Sequence, residues 1–501
     1  MKRKSLLLLA CILMLASVLA ACSGGNKDAA NSGKAPDAKA TATPAVKPEL
    51  KFLAANAGFD PNKDPAAALI EEVTGYKVNY NMLPADKADE KLNLEMASGA
   101  YYDLMGVTKP QFAGLVNQNA ILPLNDLIDK FGPNIKKAIE TKVFNVTTIG
   151  GKIYGVPYMG NGELITWGTI VRQDVLDQLG LKMPTTLDEL YTTLKTIKEK
   201  TDLIPFVSDN AFIESIASGF GLSTQWYESN GQLSSIIKQP GMPQYLEFMA
   251  KLYKEGLIDK DLPVSKLETA KEKFASGKAA MMRFGWGSSL PETVLPAVEK
   301  NVPNFKYKMM SPLKGANGKS EILVDRGVGR VAVIPKVSKY PEDVIKFIDK
   351  KLELDTFKYI GIGKEGVEYK FENGQYYPIL PKFNEQRTNI WWYLDAVDTK
   401  NWPDYWLARN RKNPLSNAVF TEIQKDKATA GKFDPTSYFP PGPAGIKYVQ
   451  SLDAMNKEYY IKVIAGAENI SSFDKYVSSW DNAGGKELTA EMNELYRNAT
   501  K

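Results

Sequence analysis

The chain has 501 residues, a formal charge of +5, two cysteines and no histidine. The missing histidine excludes serine–histidine and cysteine–histidine hydrolases, histidine general bases and ordinary zinc sites together. The near-neutral charge gives no electrostatic case for nucleic acid, and the length exceeds what one core usually supports, so two or more lobes are expected.

Lys2, Arg3 and Lys4 precede an apolar run from Leu6 to Ala21. That run is too short for a comfortable bilayer span but suits a signal-peptide core. It ends in Leu19-Ala20-Ala21-Cys22, an aliphatic residue, two small ones and a cysteine, which has the form of a bacterial lipobox. Residues 1–21 are therefore expected to be removed and Cys22 to be lipidated, with two acyl chains giving a stable anchor on the extracellular face of the membrane. Cys11 leaves with the signal, so the mature chain has no thiol for a disulfide, a metal or a nucleophile. The three basic residues leave too, which takes the charge from +5 to +2. Residues 22–49 are mostly small and polar and read as a flexible tether, with a reach of about 25–30 Å.

The folded part begins near Leu50. Lys51 to Ala55 reads as a strand, and a helix is expected over Pro65–Val73, with Gly75 as its stop. A strand over Val78–Leu83, a helix over Ala85–Ala97 and a strand from Asp103 follow. This alternation indicates an α/β lobe. Gly150-Gly151-Lys152-Ile153-Tyr154-Gly155-Val156-Pro157 has the pattern of a hairpin edge. Thr166–Val171 reads as a strand leading into a helix that ends at Gly180. Thr186 with Glu189 forms a capping-box pattern ahead of a helix through Lys198, and Gly329–Pro335 reads as another buried strand.

Gly361-Ile362-Gly363-Lys364-Glu365-Gly366 matches a dinucleotide-binding GxGxxG pattern, which needs a strand before it and a helix after it. Here Leu352–Ile360 reads as helix and Val367–Phe371 as strand, so the order is inverted and the glycines are read as a turn. Two carboxylates could meet in a cleft as a glycosidase pair, yet no local signature marks one, and Glu71-Glu72 is the wet face of a helix. No catalytic residue and no cofactor is assigned.

The aromatic residues carry the positive signal. Trp391, Trp392, Trp402 and Trp406 fall in a stretch interleaved with Asn389, Asp395, Asp398, Asn401 and Asp404. Trp226-Tyr227 precedes Glu228 and Asn230, and Trp286 lies between Gly285 and Gly287. Sugar rings stack their C–H faces on aromatic plates while their hydroxyls pair with planar polar groups, so this mixture suits a carbohydrate cleft. Each tryptophan taken singly is equally compatible with core packing.

Several segments carry a family resemblance from about Leu50 to the C-terminus. They are the Gly151–Pro157 hairpin, Val171-Arg172-Gln173-Asp174 with Leu179-Gly180-Leu181 and Pro184-Thr185-Thr186, Phe274-Ala275-Ser276-Gly277-Lys278-Ala279-Ala280-Met281, Gly363–Tyr369, and Gly484-Gly485 through Tyr496. With these the chain resembles the extracellular solute-binding proteins (family 1) of carbohydrate ABC importers. Within them it is most similar to the larger Gram-positive lipoproteins of LipO type, related to alginate-oligosaccharide binding proteins. The resemblance implies a two-lobed, periplasmic-binding-protein-like α/β fold of type II with hinge crossings, and a ligand trapped between the lobes. The lobes are expected over 50–163 (first), 164–325 (second), 326–385 (return to the first) and 386–501 (mainly second). The resemblance also implies ligand-binding roles for Trp286, Trp226 and Asp103, to which the aromatic clusters add Tyr227, Trp391, Trp392, Trp402 and Trp406. The implied partners are an oligosaccharide and the permease subunits of an ABC importer, with the chain itself a monomer. Peptide or other small-solute binding on the same fold, and a surface carbohydrate-active enzyme, are the alternatives. Relatives often carry an acidic calcium loop where this chain reads Lys200-Thr201-Asp202-Leu203-Ile204-Pro205. One carboxylate there cannot supply the six to eight oxygens calcium takes, so no metal is expected.

Overall fold

In the structure, a computed structural model, nine strands build two sheets: β1 (Leu50–Ala54), β2 (Val78–Met82), β3 (Leu104–Val107), β4 (Val156–Met159), β5 (Trp167–Arg172), β6 (Ile204–Val207), β7 (Ala279–Gly285), β8 (Tyr307–Met310) and β9 (Val328–Val333). The structure describes residues 46–160, 162–286 and 290–499. The signal segment, Cys22, most of the tether and Gly287 lie outside the described residues. The fold below belongs to a unit that begins at Lys47.

The first sheet has the order β2-β1-β3-β9-β4. β1 runs parallel to β2 and β3, and β9 runs antiparallel to β3 and β4. Parallel strands need helical crossovers, and the chain supplies them. The helix Pro65–Thr74 is opened by Asp64, whose carboxylate accepts from the Ala66 amide at 2.9 Å, and closed by Gly75 at φ +68°. The next helix starts at Ala88 rather than Ala85, because Lys87 is left-handed at φ +59°. β3 is buried at all four positions, as expected of a strand covered on both faces.

The second sheet has the order β8-β5-β7-β6. Its flanking helix Leu187–Lys200 opens with the Thr186 hydroxyl accepting from the Glu189 amide at 3.3 Å, while the Glu189 carboxylate accepts from the Thr185 amide and hydroxyl, both at 2.8 Å. The GxGxxG segment follows the helix Leu354–Ile362 and precedes the strand Tyr369–Glu372, the order that leaves no helix N-terminus for a pyrophosphate.

The hydrophobic core follows the sheets: one cluster surrounds the first and two clusters flank the second. The C-terminal part begins in the first core. Ile390, Trp392, Tyr393, Trp402, Tyr405 and Trp406 belong to the first core, so the return to the second lobe comes later, along the helix Pro414–Gln424. That helix gives Phe420 to the first core and Val419 and Ile423 to the other. Among the described residues, no helix is long and apolar enough to cross a membrane.

Candidate functional site

Two chain segments cross between the sheets side by side. Residues 162–166 lead into β5, and residues 324–327 lead back toward β9. They are laced by a pair of backbone hydrogen bonds, Leu164 N to Asp325 O at 2.9 Å and Asp325 N to Leu164 O at 2.8 Å. A third contact secures the first crossing. The Gln424 side chain accepts from Ile165 N at 3.0 Å and donates to Ile165 O at 2.8 Å, and the Trp286 indole donates to that same carbonyl at 3.0 Å.

A cavity of about 400 Å³ opens over these crossings. Gly160, Gly162, Leu164, Thr166 and Trp167 line it from the outgoing crossing, Gly285 and Trp286 from the end of β7, and Asp325, Gly327 and Gly329 from the return. The volume falls within the range of small-molecule sites. Five of the ten described lining residues are glycine, so much of the floor is backbone with no side chain standing above it. The walls are the two indoles, and Asp325 is the one charged residue among the described lining residues.

Trp286 is half-buried. Its ring meets Trp406 edge to face at 4.6 Å and Phe420 at 5.2 Å, so it is backed by both while lining the cavity. Trp406 thus stands behind Trp286 rather than in the lining. Trp167 is also half-buried, and the Arg283 guanidinium lies 3.6 Å from its ring centroid. Arg283 is held by both oxygens of Glu214, at 2.8 and 2.6 Å, and by Asp209 at 3.1 Å. Burial pulls its pKa down, but the Glu214 and Asp209 carboxylates prevail and the guanidinium titrates above its ordinary value.

The other expected residues fall elsewhere. Trp392, 2% exposed, packs edge-on against Phe52 and Tyr80, and its indole donates to Ala55 O at 3.2 Å. Trp402, 1% exposed, packs against Phe357. Both fill the first core, because their apolar area is better served there than by the polar neighbours that suggested a cleft. Trp226 is buried in the second core, its amide bound to Asp434 at 3.1 Å. The Tyr227 hydroxyl accepts from the Thr224 amide at 3.1 Å and closes a turn. Trp391 alone of the late cluster is exposed, and its carbonyl accepts from Arg330 at 2.7 Å, beside the lining residue Gly329.

Asp103 is fully buried and accepts from Lys51 N at 2.9 Å, Ser338 Oγ at 3.1 Å and the Tyr101 hydroxyl. It stands before the start of β3, whereas parallel strands present their carboxyl ends to a ligand crevice. At that other end stands Lys109, the first residue of the helix Lys109–Asn117. Packing around it lowers its pKa, against the attraction of Asp325 and Asp434. Trp167, Arg283, Glu214, Asp325 and Lys109 were not picked out from the sequence; the available signal was Trp167 itself, at the first position of the strand that follows the crossing.

At the end of the helix Leu187–Lys200, Thr201 turns back to Ile197 O at 2.7 Å and β6 begins at Ile204. Among the described residues no group of three or more carboxylates is placed to hold a metal ion.

Residues 59–350 match the family model of the bacterial extracellular solute-binding proteins. A polygalacturonan/rhamnogalacturonan-binding protein of Bacillus subtilis is 26% identical over an alignment covering 98% of each chain. An uncharacterised protein of Niallia circulans is 40% identical over 259 residues, which is 52% of this chain and all of that one. Among solved structures, an alginate-binding protein crystallised without calcium superposes with a TM-score of 0.70 at 22% identity, over 90% of this chain and 98% of its own.

Proposed function

From the premise that the chain belongs to the bacterial extracellular solute-binding proteins, we propose that it captures an oligosaccharide between its two lobes and delivers it to the permease subunits of an ABC importer, without chemical turnover. The observation that carries this reading is the cavity over the crossings, with indole walls, a glycine-rich backbone floor and a carboxylate at its edge. Aromatic faces take the C–H side of a sugar ring, and backbone groups with Asp325 take its hydroxyls. In this reading Trp286 is a stacking wall and Trp391 an outer contact. The name of the Bacillus subtilis relative favours a plant cell-wall polysaccharide fragment as cargo. Cys22 carries the lipid that holds the domain on the extracellular face.

Isothermal titration against defined polygalacturonan, rhamnogalacturonan, alginate, fructan and chitin oligosaccharides tests it. At least one should bind intact and be recovered unaltered, and Trp286→Ala should weaken that binding by about ten- to two-hundredfold, from the roughly 1.5–3 kcal/mol of aromatic burial lost. Cleavage of a bound oligosaccharide, or binding of none, would defeat the proposal.

A further inference from the structure

Trp167 is the first residue of β5, directly after the crossing, and its cross-strand partner on β7 is Gly285. A Cβ on Gly285 would stand 2.9 Å from the Trp167 ring, closer than carbon atoms tolerate. The glycine is therefore what lets the indole lie over the neighbouring strand. Two residues back on the same strand, Arg283 covers the ring at 3.6 Å. Arg283 is only 4% exposed and has no rotational freedom to give up, because Glu214 grips it through two oxygens and Asp209 through a third. A planar cation stacked on an indole and fixed in this way holds the ring at a defined angle. One ring face is thus taken by Arg283, and the half-exposed remainder of Trp167 lines the cavity.

We propose that Trp167 is a second ligand-stacking platform, sharing the cavity lining with Trp286, and that Arg283 is its positioning residue, acting with Glu214 and Asp209 on the ring. The ligand class is a sugar ring presenting an apolar face, with its hydroxyls toward Thr166 and Asp325. The inference rests on the oligosaccharide-capture reading. A ring already immobilised in the free protein loses little freedom on binding, so the arrangement favours affinity through preorganisation. The buried charges of Arg283 are satisfied before any ligand arrives, so they serve the ring and do not meet the sugar.

The test uses the tightest binder from the oligosaccharide panel. Trp167→Ala should weaken it by about ten- to a hundredfold, and Trp167→Phe, which keeps an aromatic face, by a smaller factor. Should the alanine variant fail to fold, the phenylalanine variant and Gly285→Ala, which displaces the indole, give the same reading. Arg283→Lys keeps a cation for Glu214 but removes the planar stack. It should weaken binding in the wild-type background and cause no further loss when added to Trp167→Phe beyond what that smaller ring still feels; a residue acting on the fold alone would cost the same factor in both. Hydroxyl-radical footprinting should show Trp167 oxidised in the free protein and protected by the sugar. Unchanged affinity in Trp167→Ala with the sugar still bound to the wild type overturns the platform. Equal losses from Arg283→Lys in both backgrounds overturn the positioning role. If no oligosaccharide of the panel binds the wild type, the capture reading itself fails and takes this inference with it.

Discussion

Asp395→Asn should destabilise the first lobe by about 3–5 kcal/mol, the cost of breaking a buried ion pair by removing one partner. Lys351 and Asp395 pair inside the first core, each side chain 3% exposed. The Lys351 ammonium also meets the Tyr393 carbonyl at 3.0 Å and the Phe347 ring at 3.9 Å. Neither carries a formal charge, so the asparagine variant strands a cation where water cannot reach it. Burial already pulls the Lys351 pKa down against the pull of Asp395, and losing the carboxylate lowers it further. The expected loss corresponds to roughly two to three and a half powers of ten in the unfolding equilibrium. Replacing both partners with apolar residues, Lys351→Met with Asp395→Leu, leaves no charge behind and should recover most of the loss. Urea unfolding followed by tryptophan fluorescence suits the measurement, since Trp392 and Trp402 lie in the same core. A single variant within about 1 kcal/mol of wild type would refute the reasoning, as would a double variant no more stable than the worse single one.

Two further outcomes are expected. Asp426 lines a small apolar cavity with Ile165, Trp167, Met309 and Ile423. Burial raises its pKa above the ordinary carboxylate value, against a hydrogen bond from Ser311 and with Glu422 adding to the rise. The folded state therefore holds this proton more tightly than the unfolded chain, and stability falls as pH rises from the unfolded value through the raised one. Asp426→Asn should melt above wild type at neutral pH, with the gap closing as pH falls below about 4; a gap that widens on acidification would contradict the sign. Cys22→Ala should release the protein from the membrane fraction into the medium, and a variant that resists a salt wash would count against lipidation at that residue.

Much of the fold was legible because its signals are local. Pro65 and Gly75 bracket a helix that spans Pro65–Thr74, and Thr186 with Glu189 marks the start of another. Alternating strands and helices indicated the first lobe, and the glycine before Trp286 drew attention to a tryptophan that the structure brings to the cavity. The misplacements share one physical cause: neighbours in sequence do not say which way a side chain faces. Trp392 and Trp402 sit among polar residues, yet each turns its ring into the first core. Asp103 precedes β3, and only the direction of the strands reveals that the crevice lies at the other end. Trp167 depends on register, since Arg283 and Gly285 meet it across two strands more than a hundred residues apart in sequence. For the same reason nothing local showed that residues 390–406 are tied to the first core, by rings contributed from Phe52, Tyr80 and Phe357.

The clasp on Ile165 has a consequence for how such a chain can diverge. Gln424 and Trp286 both bind the backbone of residue 165, not its side chain. Drift at 165 is therefore limited only by the apolar space around a residue 1% exposed. Position 424 has no such latitude. It must present a donor and an acceptor side by side at the distance a glutamine reaches: asparagine is one methylene short, and glutamate offers no donor for the carbonyl. Lineages of this protein should accordingly exchange isoleucine for valine or leucine at 165 at a cost of only about 0.5–1.5 kcal/mol while retaining glutamine at 424, so that the half-buried amide is the more constrained of the two.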